Sequence, residues 1–199
     1  TVGLAEKGLK GAVMAGITYR ALRSGDAVDM KQLWLDVIAY EPGVMLLTYE
    51  EQLKVPVRRL AQNVNAMLAD PSSLVVGAFD DKELVGVAAV EQQLTARQSH
   101  RARMWGLCVA HSHRRQGIGR QLVELLVEHV SELPEVEQLH LEVLSCAEAA
   151  IELFNSLGFH CYCQEPHAVK DGGDYHDEWR MLKVLHSREA DQEPAPSAE

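Results

Sequence analysis

The stretch Leu107-Cys108-Val109-Ala110-His111-Ser112-His113-Arg114-Arg115-Gln116-Gly117-Ile118-Gly119-Arg120 constrains the fold more than any other part of the chain. Leu107–Val109 is apolar and strand-like, the middle is basic and punctuated by glycine, and an amphipathic run follows with Leu122, Val123, Leu125, Leu126 and Val130. A strand, a glycine turn and a helix in that order form a cradle for phosphate. The first N–H groups of a helix have no intrahelical acceptor, and the helix dipole favours an anion beside them. Glycine lets a ligand approach the backbone, and Arg114, Arg115 and Arg120 supply charge and forked hydrogen bonds.

Charge and length exclude several classes. The chain has 199 residues and a formal net charge of −10, which argues against a nucleic-acid partner, since that contact needs clustered Lys and Arg. No apolar run approaches the roughly 20 residues of a membrane span, so no membrane partner is expected. Four cysteines without a secretory signal point to reduced thiols and a cytoplasmic location. His160, Cys161, Cys163 and His167 match no usual zinc spacing, Cys161 and Cys163 are expected on one side of a strand, and no metal is expected.

Residues 1–13 show little periodicity and are expected to be a disordered or added leader, with Met14 a natural start. Residues 187–199 are acidic and hold Pro194 and Pro196, an expected unfolded tail. Between them, 14–186 reads as one domain. Strands are expected over 17–22, 74–79, 84–93, 101–109, 138–144, 159–163 and 178–185. Helices are expected over 24–40, over 48–68 with a bend at Pro56, from the glycine turn to 131, and over 147–157, ending at Gly158. A mixed sheet of six or seven strands with helices on both faces, an α/β (α+β) domain, accommodates this order.

The ligand of the cradle is narrowed by what the turn lacks. A nucleotide P-loop needs Gly-Lys-Ser/Thr, but Gly119 is followed by Arg120-Gln121. A dinucleotide turn needs a third glycine where Leu122 stands. Arg114-x-x-Gly117-x-Gly119 resembles the pyrophosphate signature of the GNAT superfamily of acetyl-CoA-dependent N-acetyltransferases. Ala150-Ile151-Glu152-Leu153-Phe154-Asn155-Ser156-Leu157-Gly158-Phe159 resembles its second signature, and the element order is the GNAT order. Glu41-Pro42, His100, Trp105-Gly106, Glu165-Pro166-His167 and Tyr175-His176-Asp177-Glu178 resemble one bacterial group within it.

The resemblance implies a GNAT fold and acetyl-CoA as co-substrate. It implies pantetheine along Leu107, Cys108 and Val109, and pyrophosphate over Arg114, Arg115, Gln116, Gly117, Ile118, Gly119 and Arg120, with Phe154 beside the cofactor. The sheet is expected to splay after Val109 and Leu144. The implied reaction is direct acetyl transfer to an amine-bearing acceptor, and a homodimer is one assembly the resemblance allows. Phe154 stands where many relatives carry a proton-donating Tyr, which leaves Cys146, Tyr162, Tyr175 or no side chain as the acid. It also opens an alternative, a catalytically weak acetyl-CoA-binding sensor. Glu142, beside the expected splay, is the first choice for general base, followed by Glu91 and His100. Glu41, Tyr175 and Asp177 are expected to anchor the acceptor, in a pocket walled by the 41–45 loop and the 170–177 hairpin.

Overall fold

A computed structural model describes residues 12–14, 16–41 and 45–185. The chain runs β1 (Ala12–Met14), β2 (Ile17–Ala21), a 3-10 turn (Ser24–Asp26), α1 (Ala27–Tyr40), α2 (Tyr49–Lys54) and α3 (Val57–Ala69). It continues through β3 (Ser73–Asp80), β4 (Glu83–Gln92), β5 (Arg101–Val109), a 3-10 turn (His111–His113) and α4 (Ile118–Ser131). It ends in β6 (Gln138–Leu144), α5 (Glu148–Ser156), β7 (His160–Asp171) and β8 (Asp174–Val184). The strands form a single mixed sheet in the order β1-β2-β3-β4-β5-β6-β8-β7. Seven strands are long, in line with the expected mixed sheet, and the three-residue edge strand β1 adds an eighth.

Each face of the sheet buries its own core. On one side Ile118, Leu122, Val123, Leu126 and Val130 of α4 pack with Phe154 of α5 against Val76, Ala78, Ala88 and Leu139. On the other, Met30, Leu33, Trp34 and Val37 of α1 and Leu60 and Val64 of α3 cover Val75, Val87, Ala89 and Cys108. Side chains one apart on a strand therefore serve different cores, as the two-residue period of a pleated strand requires.

Three expectations need correction. The helical segment over 48–68 is two helices and not one bent helix. Val55 and Pro56 are extended, because proline disfavours the helical region in the residue before it. The last two strands are a long hairpin reaching Asp171 and Asp174, and bulges at Cys161/Cys163 and Glu165/Val169 keep them paired despite an irregular polar pattern. The first of those bulges also means that Cys161 and Cys163 do not share a regular strand face. The expected tail lies outside the described residues, as does the leader except for Ala12 and Val13, which pair with Tyr19 and Thr18.

The sheet parts earlier than expected. β5 and β6 are parallel neighbours, but they pair only from Arg101–Arg103 to Gln138–His140. From Met104 onward β5 turns away. Its register with β4 slips by one residue, since Val87 pairs with Cys108 and Ala89 with Trp105. Gly106, at φ +68°, supplies the left-handed conformation inside this bulge. The fork therefore opens past Arg103 and His140, well before Val109 and Leu144.

Candidate active site

The fork opens into a cleft of about 1010 Å³. Leu107, Cys108 and Val109 line one arm, and Leu141, Glu142, Val143 and Leu144 line the other. The end of α1, the loop before α2, the start of α4 and the start of α5 close the remaining sides.

The glycine turn has the geometry of an anion cradle. Arg115 takes a left-handed φ of +63° and Gly117 one of +83°, which turns successive N–H groups toward the start of α4. The first intrahelical bond is Gln121 N–H to the Gly117 carbonyl at 3.0 Å, so the amides of Ile118, Gly119 and Arg120 have no acceptor within the helix. A Cβ on Gly117 would meet nothing within 4 Å, so packing does not require this glycine; its backbone conformation does. Arg114, Arg115, Gly117, Ile118, Gly119 and Arg120 all line the cleft, a set that fits the diphosphate of a CoA ester. Gln116 does not; its Nε2 donates to the Ser112 carbonyl at 3.3 Å. Arg120 donates to Ser156 Oγ at 2.7 Å, tying the cradle to α5.

Arg114 is not a free cation. Its Nη1 lies 2.6 Å from Glu41 Oε2, and its Nε donates to the Val109 carbonyl at 3.3 Å. Beside it, Tyr40 stacks on His111 at 3.7 Å between ring centroids. The end of α1 thus clasps the phosphate turn at two consecutive residues. Glu41, expected to face the acceptor, is engaged with the cofactor side. Of the 41–45 loop expected to wall the acceptor pocket, residues 42–44 lie outside the described residues.

Part of the cleft lining is acidic. Glu91, Glu142 and Glu178 line the cleft with Arg103. Arg103 Nε donates to Glu142 Oε2 at 2.9 Å across the base of the fork. Glu178, on β8, pairs across from Leu144, two rungs beyond the Glu142–Arg180 pair and so on the same face. It is the most enclosed of the two carboxylates, with its side chain 15% exposed against 31% for Glu142. Burial, and then the neighbouring Glu142 charge, raise the Glu178 carboxyl above its ordinary value. The sequence gives no sign of this, because Glu178 reaches the cleft only through the antiparallel register of β6 and β8.

Other expected site residues fall elsewhere. His100 precedes β5 at the end remote from Val109, and its carbonyl accepts from Glu137 and Gln138 N–H at 2.8 and 3.1 Å; it does not line the cleft. Tyr175 and Asp177 do not line the cleft either, although the Asp177 carbonyl accepts the Ser145 N–H at 2.8 Å at its edge. Tyr175 packs on His167, and Asp177 Oδ1 accepts the His167 N–H at 2.9 Å. Of the alternative acids, Cys146 lines the cleft, whereas Tyr162 packs edge-on against His140. Phe154 lines the cleft floor and packs on Phe159 at 5.7 Å. Cys108 faces the core, where burial pushes its thiol up to about 12, which excludes it as a nucleophile at neutral pH.

Among the described residues no cluster of His, Cys, Asp or Glu is arranged to hold a metal ion, and no helix is long and apolar enough to cross a membrane.

Comparison with known proteins agrees with this geometry. The fold matches an acetyltransferase of the GNAT family from Streptococcus pneumoniae with a TM-score of 0.77 at 16% identity, over 85% of this chain and 99% of that one. It matches yncA from Salmonella typhimurium, solved with its cofactor acetyl-CoA, with a TM-score of 0.76 at 17% identity, over 88% and 98% of the two chains. A ribosomal-protein-alanine N-acetyltransferase from Brucella melitensis gives 0.70 at 20% identity, over 83% and 98%. No curated protein sequence matches the chain. The family model for the acetyltransferase (GNAT) family matches residues 41–159, more than half of the sequence and inclusive of both arms of the fork. The chain is a member of the GNAT family and an acyltransferase.

Proposed function

We propose that the protein transfers the acetyl group of acetyl-CoA to a primary amine by direct attack while both are bound. One observation carries this reading: the forked sheet puts the anion cradle on one side of a single cleft and an acidic wall on the other. Arg115, Arg120 and the amides of 117–120 would hold the diphosphate, with Arg114 available once Glu41 yields it. The exposed backbone of Leu107–Val109 would align the acyl arm. Most of the rate enhancement then comes from holding two reactants together.

Glu178 is the residue we assign to deprotonate the acceptor. An alkylammonium has a pKa near ~10 and must lose a proton before its nitrogen can attack. A carboxylate made more basic by burial and by a second carboxylate serves that step better than an exposed one. Glu142 is restrained by Arg103 and acts with Glu91 as the anionic wall that receives the ammonium. The nitrogen forms its bond to the acyl carbon, the thioester C–S bond breaks, and the sulfur leaves as a thiolate that takes up the nitrogen's second proton, its thiol pKa being near ~8.5 by analogy with cysteine. Such a leaving group requires no side-chain acid, so Phe154 is compatible with turnover.

The test is a pair of measurements. Acetyl-CoA raises the melting temperature, and an amine panel then shows CoA release above the acceptor-free rate. A thermal shift with no release from any amine would overturn transfer and favour the sensor.

A further inference from the structure

A second space, of about 90 Å³, lies between α1, α3 and the sheet. Met30, Leu60, Val64, Val75, Val87 and Ala89 line it, and none of these six lines the cleft. Among the described residues no charged side chain borders it, and its one amide side chain is Asn63, on the exposed face of α3.

Trp34, Trp105 and Gly106 line this space and the cleft alike, so the two share a wall. The wall is open at Gly106. A carbon built at its Cβ position meets, beyond its chain neighbours, only Trp34 Cζ2 at 4.0 Å. That is an ordinary van der Waals separation, so a gap wide enough for a methylene stands between the β5 backbone and the Trp34 ring.

The gap lies where the acyl end of a bound CoA ester would come to rest. With the diphosphate over the start of α4 and the arm running back along Val109, Cys108 and Leu107, the next residue reached is Gly106, in the bulge of β5. The carboxylates of Glu91, Glu142 and Glu178 line the cleft but not the second space, so the amine and the acyl tail have separate places. An apolar lining favours hydrocarbon and penalises a charged or unpaired polar group. Size sets the chain length. An apolar cavity of ~150 Å³ takes benzene, so this smaller one takes roughly three or four carbons.

We propose that this space is an acyl-tail pocket, and that the protein takes straight-chain acyl-CoA donors up to about the length of butyryl, with acetyl-CoA the shortest. The carbonyl stays in the cleft beside Gly106, and the tail passes between Gly106 and Trp34 to lie on Val87 and Ala89. This rests on the transferase reading and widens its donor class. Acyl groups that end in a carboxylate, such as succinyl, are rejected, because that charge would lie among apolar side chains.

The probes are acetyl-, butyryl-, octanoyl- and succinyl-CoA, titrated calorimetrically into the protein with no amine present. Each methylene buried in an apolar space tightens binding about fourfold, so butyryl-CoA binds about fifteenfold more tightly than acetyl-CoA. Octanoyl-CoA gains nothing further, and succinyl-CoA binds more weakly than butyryl-CoA. Ala89→Val puts two carbons into the pocket, removes the butyryl preference and leaves acetyl-CoA binding unchanged. If that variant fails to fold, Met67→Ala enlarges the pocket from its half-buried α3 side and moves the preference from butyryl toward octanoyl. Equal affinity for acetyl- and butyryl-CoA, or a chain-length preference that the folded variants leave unaltered, would overturn the proposal.

Turnover separates this pocket from the transferase reading. A butyryl preference in binding, with no CoA released from any amine, would defeat transfer and leave the pocket standing. Acetyl transfer without a butyryl preference in binding would defeat the pocket alone. No binding of any ester would overturn both.

Discussion

Arg114 Nη1 and Glu41 Oε2 are 2.6 Å apart, a contact that joins the first arginine of the phosphate turn to the last residue of the clasp from α1. A diphosphate would compete with Glu41 for the same guanidinium. Glu41→Gln is therefore expected to tighten acetyl-CoA binding about two- to fivefold, the range of a half-exposed ion pair. Isothermal titration of the two proteins checks it. Equal or weaker binding in the variant would show that Glu41 helps Arg114 reach the phosphate and does not oppose it.

Glu178→Gln is expected to reduce kcat/KM by roughly a hundredfold, the lower range for loss of a general base, while leaving acetyl-CoA affinity within about twofold. Steady-state kinetics beside a direct binding measurement separate the two effects. A loss confined to binding would remove Glu178 from the proton-transfer step.

The pH profile gives a signed test of the same residue. Because the carboxylate is the active form, the acidic limb of kcat/KM follows the Glu178 pKa and rises as that group deprotonates. After burial, Glu142 raises this pKa, and Arg180, 3.8 Å away, and then Arg103 lower it. Glu142→Gln should move the limb to lower pH, and Arg103→Met should move it to higher pH. Shifts in the same direction for both variants would assign the limb to another group.

His140 sits on the last paired rung before the fork, and burial followed by the Arg101 charge pushes its imidazole down to about 4. The folded value lies below the unfolded one, near ~6.5, so the fold favours the neutral ring. That contribution is present above about pH 6.5 and is lost as the pH falls toward 4. Urea melts between these limits should show stability falling with acidification. His140→Gln should flatten the curve, and an equally steep variant would trace the loss elsewhere.

Gly158 ends α5 at φ +83°, with Phe159 N–H bonding back to the Phe154 carbonyl at 3.0 Å. A side chain there would be strained by the backbone and would meet Lys183 Nζ at 3.0 Å. Gly158→Ala should cost about 1 kcal/mol, read as a lower melting temperature with little change in acetyl-CoA affinity.

The sequence makes local features legible and hides those set by register. The Arg114–Gly119 turn, the faces of α1 and α4 and the Gly158 stop follow from periodicity and backbone preference over a few residues. The fork position does not, because Arg103 and His140 lie far apart in the chain and only their alignment fixes where β5 and β6 part. Glu178 was hidden for the same reason, its place opposite Leu144 being a matter of pairing. The bulges in β7 and β8 disrupt alternation, so residues 164–177 read as a loop between two shorter strands.

The three-rung contact between β5 and β6 has a mechanical meaning as well. Strands β1–β5 and β6–β8 are two slabs joined in the sheet by a short seam at Arg101–Arg103 and Gln138–His140, with the side-chain bonds Arg101–His140 and Arg103–Glu142 and the packing of α4 and α5 adding to it. A molecule lodged in the fork touches both slabs at once and acts as a wedge-shaped splice. Occupancy should therefore slow amide exchange along the seam as well as at the contact surface, making the protein's rigidity a property it shares with its ligand.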